Sequence, residues 1–181
     1  MIIPNRYYEI EKYDKEFLSF LEGKEYEELY INTLVEKDYI KKLGYLESFP
    51  NYLYSAYAIM PERYETVTNK ADVDKEDLEE NGRFLIHAGC MEVYPYYAAN
   101  RKGKNMIFSL RSKAFRHEDE TNEARLNEFT IREFVFVGTT EFIEENMIEM
   151  QEKSLDLANR FGFNARLESA SDVFFPSKKN I

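Results

Sequence analysis

Ten residues alternate with a strict period of two: Glu128-Phe129-Thr130-Ile131-Arg132-Glu133-Phe134-Val135-Phe136-Val137. Side chains two apart project from one face of a strand, so Phe129, Ile131, Glu133, Val135 and Val137 share a side, and Thr130, Arg132, Phe134 and Phe136 share the other. Upstream, Phe115-Arg116-His117-Glu118 ends a second extended run, with a charged loop between the two. The pattern predicts neighbouring antiparallel strands carrying a guanidinium, carboxylates and an aromatic ring. Such a platform suits a nucleotide, with arginine for phosphate, phenylalanine for a purine and glutamate for an exocyclic amine. Alternation is equally satisfied by a solvated hairpin with an Arg–Glu cross-strand pair.

The remaining elements follow from period and punctuation. Tyr8–Leu21 reads as an amphipathic helix stopped by Gly23, and Glu25–Leu43 as a longer helix stopped by Gly44. Tyr52–Ile59 fits strand or helix, and Asp72–Glu80 an exposed turn or short helix. Phe84–Ala88, Val93–Tyr97, Met106–Leu110, Lys113–Glu118 and Phe163–Glu168 are strand candidates, with a turn over Arg101–Asn105. Thr139 or Thr140 caps a helix running to Phe161, and Gly162 ends it. The order gives an α+β fold, an antiparallel sheet flanked by helices. We expect one domain over 1–181, with an N-terminal helical segment, 1–23, and a core, 24–181.

The glycine-rich cradles that hold phosphates in nucleotide folds are absent from the 181 residues, so ATP would have to sit on the sheet face. A net charge of -10 argues against a broad nucleic-acid surface. The local exception gathers Arg101, Lys102, Lys104, Arg111, Lys113, Arg116, Arg125 and Arg132. That cluster reads as a phosphate-handling mouth or as an ordinary solvated edge. One cysteine excludes an internal disulfide and fits a reducing cytoplasm. The first residues lack a basic-then-apolar leader, and no window is apolar enough for a membrane span, so a soluble cytoplasmic protein is expected. His87, Cys90, His117 and Glu133 are the side chains near the hairpin able to ligate zinc.

The run Phe115-Arg116-His117-Glu118, a polar loop, Arg125-x-x-Glu128-Phe129 and Arg132-Glu133-Phe134-Val135 resembles motif 2 of the class II aminoacyl-tRNA synthetases. Within that fold it is similar to the seryl-like branch and its amino acid:carrier protein ligases. Leu43-Gly44-Tyr45-Leu46-Glu47-Ser48-Phe49-Pro50 resembles the end of motif 1. Cys90-Met91-Glu92-Val93-Tyr94-Pro95 resembles a Cys-x-x-x-Tyr-Pro segment, and Ala170-Ser171-Asp172-Val173-Phe174-Phe175 a late Ala-x-Asp-Pro-Phe-Phe stretch, with Val173 in place of proline. The resemblance runs from about Glu25 to the last residues.

The resemblance implies a class II synthetase-like core, truncated at its C-terminal end, because the late arginine-bearing motif 3 has no counterpart after Phe175. It implies ATP-dependent activation of a small amino acid and transfer to the phosphopantetheine arm of a carrier protein, with a second chain for motif 3. Arg116 would bind the α-phosphate and the substrate carboxylate, Phe129 would stack on adenine, and Glu118 would accept from its amino group. Cys90 and Glu133 would hold zinc, with a third protein ligand not identified, and Mg2+ is a further candidate. The expected partners are the amino acid, ATP, a carrier protein and a second subunit or a second copy, without tight tRNA binding and without a membrane. The competing reading is a synthetase-like binding or regulatory module without turnover.

Overall fold

The alternating run forms strand β6 (Glu128–Val137), and it pairs with β5 (Met106–Phe115) as the end of one sheet. Side-chain pairs fix their direction. Lys113 meets Glu128 at 2.8 Å, while Arg132 meets Ser109 at 2.8 Å, so residue numbers fall on one strand as they rise on the other. The hairpin is antiparallel, as its alternation predicts. A short strand, β1 (Glu27–Leu29), adds to the far edge of β5 in parallel, with Glu27 opposite Phe108 and Leu29 opposite Leu110.

In a computed structural model, which describes residues 5–100, 103–122 and 125–169, the chain divides into two compact units. Over the described residues the first takes 5–31, 89–112 and 130–169, and the second 32–88 and 113–129, so β5 and β6 contribute to both. The Ala170–Phe175 segment lies outside the described residues, as do Arg101 and Lys102.

The first unit contains α1 (Arg6–Leu18), α5 (Cys90–Asn100) and the long α6 (Thr140–Arg160). Thr139 caps α6 by accepting the Phe142 amide at 3.3 Å, which satisfies one of the donors that a helix start leaves over. Asn146, Met150 and Leu157 are the buried residues of α6, spaced so that they share one stripe. Met150 and Leu157 join Phe20, Leu21 and Ile107 in the apolar core, with Phe134 and Phe136 packed against it from alternate positions of β6.

Helix α1 is held differently. It has no buried residue, and its Asp14 takes two hydrogen bonds from Arg132, at 2.7 and 2.9 Å. Arg132, 8% exposed at its side chain, also donates to Glu28 and Ser109. Arg111 reaches Glu11 at 2.7 Å and Asp14 at 3.4 Å. Burial works against the charge on Asp14, but the hydrogen bonds and positive charge of Arg132 and Arg111 outweigh it and hold the carboxyl below its ordinary value.

The second unit is built on an antiparallel sheet with order β2 (Leu34–Glu36), β4 (Leu78–Leu85), β3 (Ser55–Ile59). The helices α2 (Lys37–Lys42), α3 (Tyr45–Ser48) and α4 (Tyr64–Lys70) fill the connections. The carboxylate of Asp77 is fully buried and pairs with Arg63 at 2.8 Å and Lys70 at 2.5 Å, with the Asp74 amide as a third donor. A buried charge is tolerated when it is satisfied in this way.

Three segments depart from the sequence expectation. Glu25–Leu43 is not one helix but β1, β2 and the short α2. A helical stripe would bury Tyr30 and Leu34, yet they are 93% and 42% exposed, while Ile31 and Val35 are buried. Pairing with β5 and β4 outweighs the helical period. Val93–Tyr97 is not a strand but lies inside α5, and Phe163–Glu168 has no regular structure. In α5 the buried residues are Met91 and Val93, and Tyr97 reaches out to the Lys104 carbonyl at 2.8 Å, so tertiary contacts override β-prone side chains. Among the described residues no helix is long and apolar enough to cross a membrane.

Candidate functional site

At the loop end of β5, the chain leaves the strand through Phe115, whose amide donates to the Ile86 carbonyl at 2.8 Å. The next residue, Arg116, is fixed from two sides. Its amide donates to the Asn127 carbonyl at 3.0 Å and its Nε to the carbonyl of His87 at 3.3 Å. The guanidinium lies over the ring of Phe129, 5.2 Å from the centroid. That is within cation–π range, where the ring quadrupole attracts the charge. Arg116 and Phe129 therefore share one face, as the two-residue period requires. Both Nη groups of Arg116 have no hydrogen-bond partner among the described residues.

Glu118 is placed close by in sequence but is engaged elsewhere. Its carboxylate, 13% exposed, takes a hydrogen bond from Arg125 at 3.1 Å, and its amide is held by Asn127 Oδ1 at 3.0 Å. Asn51, Tyr52, His117, Glu118 and Arg125 line an open hollow of about 380 Å³. Arg125 is 64% exposed, so this ion pair is worth at most about 1 kcal/mol.

His87 completes this corner of the second unit, and sequence reasoning saw it only as a metal candidate. The residue is 4% exposed, and its ring and that of Tyr45 form a T-shaped pair with centroids 4.1 Å apart. Burial, and then the charge of Arg116, push its pKa down to about 4, so the ring is neutral at neutral pH. Among the described residues neither ring nitrogen has a hydrogen-bond partner.

The predicted metal ligands lie in the first unit. Glu133 accepts the Gly89 amide at 2.6 Å and the Cys90 amide at 3.4 Å, so its carboxylate sits at the N-terminus of α5. Helix starts favour an anion there. Cys90 is partly buried, and both it and Glu133 lie near enough to the Tyr94 hydroxyl to raise its pKa, after burial. Among the described residues no group of three or more His, Cys, Asp and Glu gathers as a metal cluster. Zinc in catalytic sites takes three protein ligands. Cys90 and Glu133 would supply two, and Glu133 is already committed to backbone amides, so the described residues alone do not make up a zinc site.

Four of the six described members of the basic cluster are neutralised within the protein. Arg111 and Arg132 serve the α1 clamp, Lys113 pairs with Glu128, and Arg125 with Glu118. Among the described arginines of the cluster, Arg116 is the one whose charge lies over a ring and not against a carboxylate. No residue type or spacing in the sequence reports which arginine is spent in this way.

No protein-family model matches the chain. It is 27% identical over 157 residues to amino acid–[acyl-carrier-protein] ligase 1 of Bradyrhizobium diazoefficiens, covering 82% of this chain and 48% of that protein. To ligase 2 of the same organism it is 25% identical over 143 residues, covering 75% and 43%. The chain thus spans about half the length of the two ligases it matches. Among solved structures, M. kandleri seryl-tRNA synthetase in complex with A. aeolicus tRNASec superposes with a TM-score of 0.63 at 19% identity, covering 80% of this chain and 32% of that one. Pyrrolysyl-tRNA synthetase from Desulfitobacterium hafniense superposes with a TM-score of 0.60 at 14% identity, covering 91% and 51%. The chain has the fold of a class II synthetase-like domain, with flanking helices and sheets that are antiparallel apart from the short β1.

Proposed function

We propose that this chain takes part in ATP-dependent activation of a small amino acid for transfer to a carrier protein. The names of the two ligases support the reaction class, and one feature of the site supports the chemistry: Arg116, braced on Phe129 and on the His87 carbonyl, keeps both Nη groups without a partner among the described residues. In the first step the substrate carboxylate attacks the α-phosphorus of ATP and pyrophosphate leaves. Negative charge builds on the α-phosphoryl oxygens, and a preorganised guanidinium offsets it without moving. In the second step the thiol of a phosphopantetheine arm attacks the acyl carbon, and AMP leaves. Neither step needs a protein nucleophile, so catalysis is positioning and charge stabilisation.

In this reading Phe129 offers an aromatic surface to adenine. Glu118 accepts from the adenine amino group once its weak pair with Arg125 opens. Mg2+ accompanies the phosphates of ATP. The part of the two ligases beyond the shared span would bring the arginine for the far end of ATP, on a second polypeptide or a further segment. The amine of the amino acid is not assigned to zinc, because Cys90 and Glu133 do not make a complete site.

The test is ATP–pyrophosphate exchange with a panel of small amino acids, run on the purified protein and again with the product of the adjacent downstream gene. Exchange that needs a small amino acid and falls at least 100-fold in Arg116→Ala supports the proposal. ATP binding without exchange under both conditions would instead identify a binding module that does not turn over.

A further inference from the structure

His87 poses a question that packing does not answer. A neutral imidazole carries one donor and one acceptor. Both are buried, with the residue 4% exposed, and neither has a partner among the described residues. Buried polar side chains in native proteins nearly always find a partner, and an exception calls for a water, an ion or a ligand to complete it. Its surroundings narrow the choice. The ring meets that of Tyr45 in a T-shaped contact, and the backbone carbonyl of His87 accepts from Arg116 Nε at 3.3 Å. Imidazole and guanidinium are thus tied through a single residue, and the two groups lie near enough for the arginine to oppose protonation of the ring.

We propose that His87 is a second recognition group of the Arg116 site, donating its ring N–H to an anionic oxygen that Arg116 holds. The inference rests on the reading that Arg116 binds a phosphate or a carboxylate, and it says how that group is oriented. A guanidinium alone attracts any anion. A neutral N–H beside it adds direction without adding a second full charge, so one oxygen of a planar carboxylate or of a phosphoryl group is singled out. The ring stays a donor throughout, because its burial, and then the adjacent cation, keep it from gaining a proton. His87 transfers no proton in this scheme. It is a positioning residue, and the guest is defined as the acyl or phosphoryl end of the activated substrate.

The chain has two histidines, His87 and His117, so imidazole nitrogen NMR on the whole protein reads the question directly. The His87 signals are assigned by their loss in His87→Phe. The protein is titrated with Mg-ATP, with a small amino acid, and with a non-hydrolysable aminoacyl-sulfamoyl adenosine. We expect the ring nitrogens of His87 to shift strongly with the adenosine analogue, and the two single-ligand arms distinguish a phosphate partner from a carboxylate partner. His87→Phe keeps a ring against Tyr45 and deletes both nitrogens. It should unfold at an equal or higher urea concentration yet bind the analogue roughly tenfold more weakly, as expected for one lost hydrogen bond to a charged group. Static His87 signals on titration, with unchanged binding by His87→Phe, would overturn the inference and leave a structural water as the partner. Should that variant fail to fold, the titration of the natural protein decides alone. If the natural protein binds neither ATP nor the analogue, the reading of Arg116 fails and the inference falls with it. Binding by the natural protein and equal binding by the variant would sink the inference alone.

Discussion

Glu133 reaches the first turn of α5 so closely that its Oε2 accepts the Gly89 amide at 2.6 Å. The approach depends on the absence of a side chain at residue 89. A Cβ there would stand 2.3 Å from Leu110 Cδ1, 2.8 Å from Glu133 Oε2 and 3.0 Å from Ser112 Oγ. Gly89→Ala must push either the strand residue or the carboxylate aside. We expect a loss of about 1–3 kcal/mol, the usual cost of overpacking. Urea unfolding measures it. Glu133→Ala leaves the amides without their acceptor and should cost about 0.5–2 kcal/mol, while Glu133→Gln, which still accepts, should cost less.

The same contact bears on metal binding. With Glu133 on backbone amides and Cys90 the one thiol, the described residues hold no three-ligand set. Purified protein should give up its zinc to a modest excess of EDTA, and Cys90→Ala should behave alike. One equivalent of zinc that survives the chelator in the natural protein and disappears in Cys90→Ala would show that donors beyond the described residues complete the site.

Stability should fall with acid in two separable steps. The pKa of His87 is about 4 in the folded protein, against an ordinary 6.5. Between those values the unfolded chain takes up a proton that the folded one refuses, so stability is full above about 6.5 and declines toward pH 4. The integral is up to about 3 kcal/mol. His87→Phe should flatten this window. Asp77 works at lower pH. The Lys70 hydrogen bond, the Asp74 amide and Arg63 hold its carboxyl far below the ordinary 3.8, so its contribution is present above that value and is lost as pH falls further. Asp77→Asn should lower the urea midpoint at neutral pH and remove part of the second step. Midpoints at half-unit intervals from pH 8 to pH 3 resolve the two.

Tight binding of tRNA is not expected. The net charge is -10, and Arg111, Lys113, Arg125 and Arg132 already face carboxylates. Each phosphate neutralised needs a cation that can be spared. Anisotropy with total tRNA at physiological salt should show no binding below about micromolar concentration. Submicromolar binding that weakens steeply with salt would reverse the conclusion.

How much of this was legible beforehand depends on where each partner lies in the chain. The β6 strand and the α6 helix were readable because their signals are local: a ten-residue alternation in one, and Thr139 with Gly162 as punctuation in the other. The shared face of Arg116 and Phe129 followed from the same period. The segment from Glu25 to Leu43 misled because its partners, β5 and β4, lie about fifty or more residues away in sequence. Aromatic and β-branched residues hid α5 for the same reason, since the carboxylate at its start comes from Glu133 on another element. The pairing of Glu118 with Arg125, and the burial of His87 nitrogens that find no partner among the described residues, are properties of assembled space, and no spacing in the chain announces them.

The clamp that fastens α1 has a practical corollary. Because Asp14 supplies two of the bonds that satisfy Arg132, removing the first eighteen residues would leave a guanidinium facing a largely dry interior with half its company gone. An unpaired buried charge is far more damaging than a lost apolar contact. Anyone trimming this protein for crystallography or fusion would do well to treat the leading helix as part of the sheet, and to place any tag or junction ahead of it.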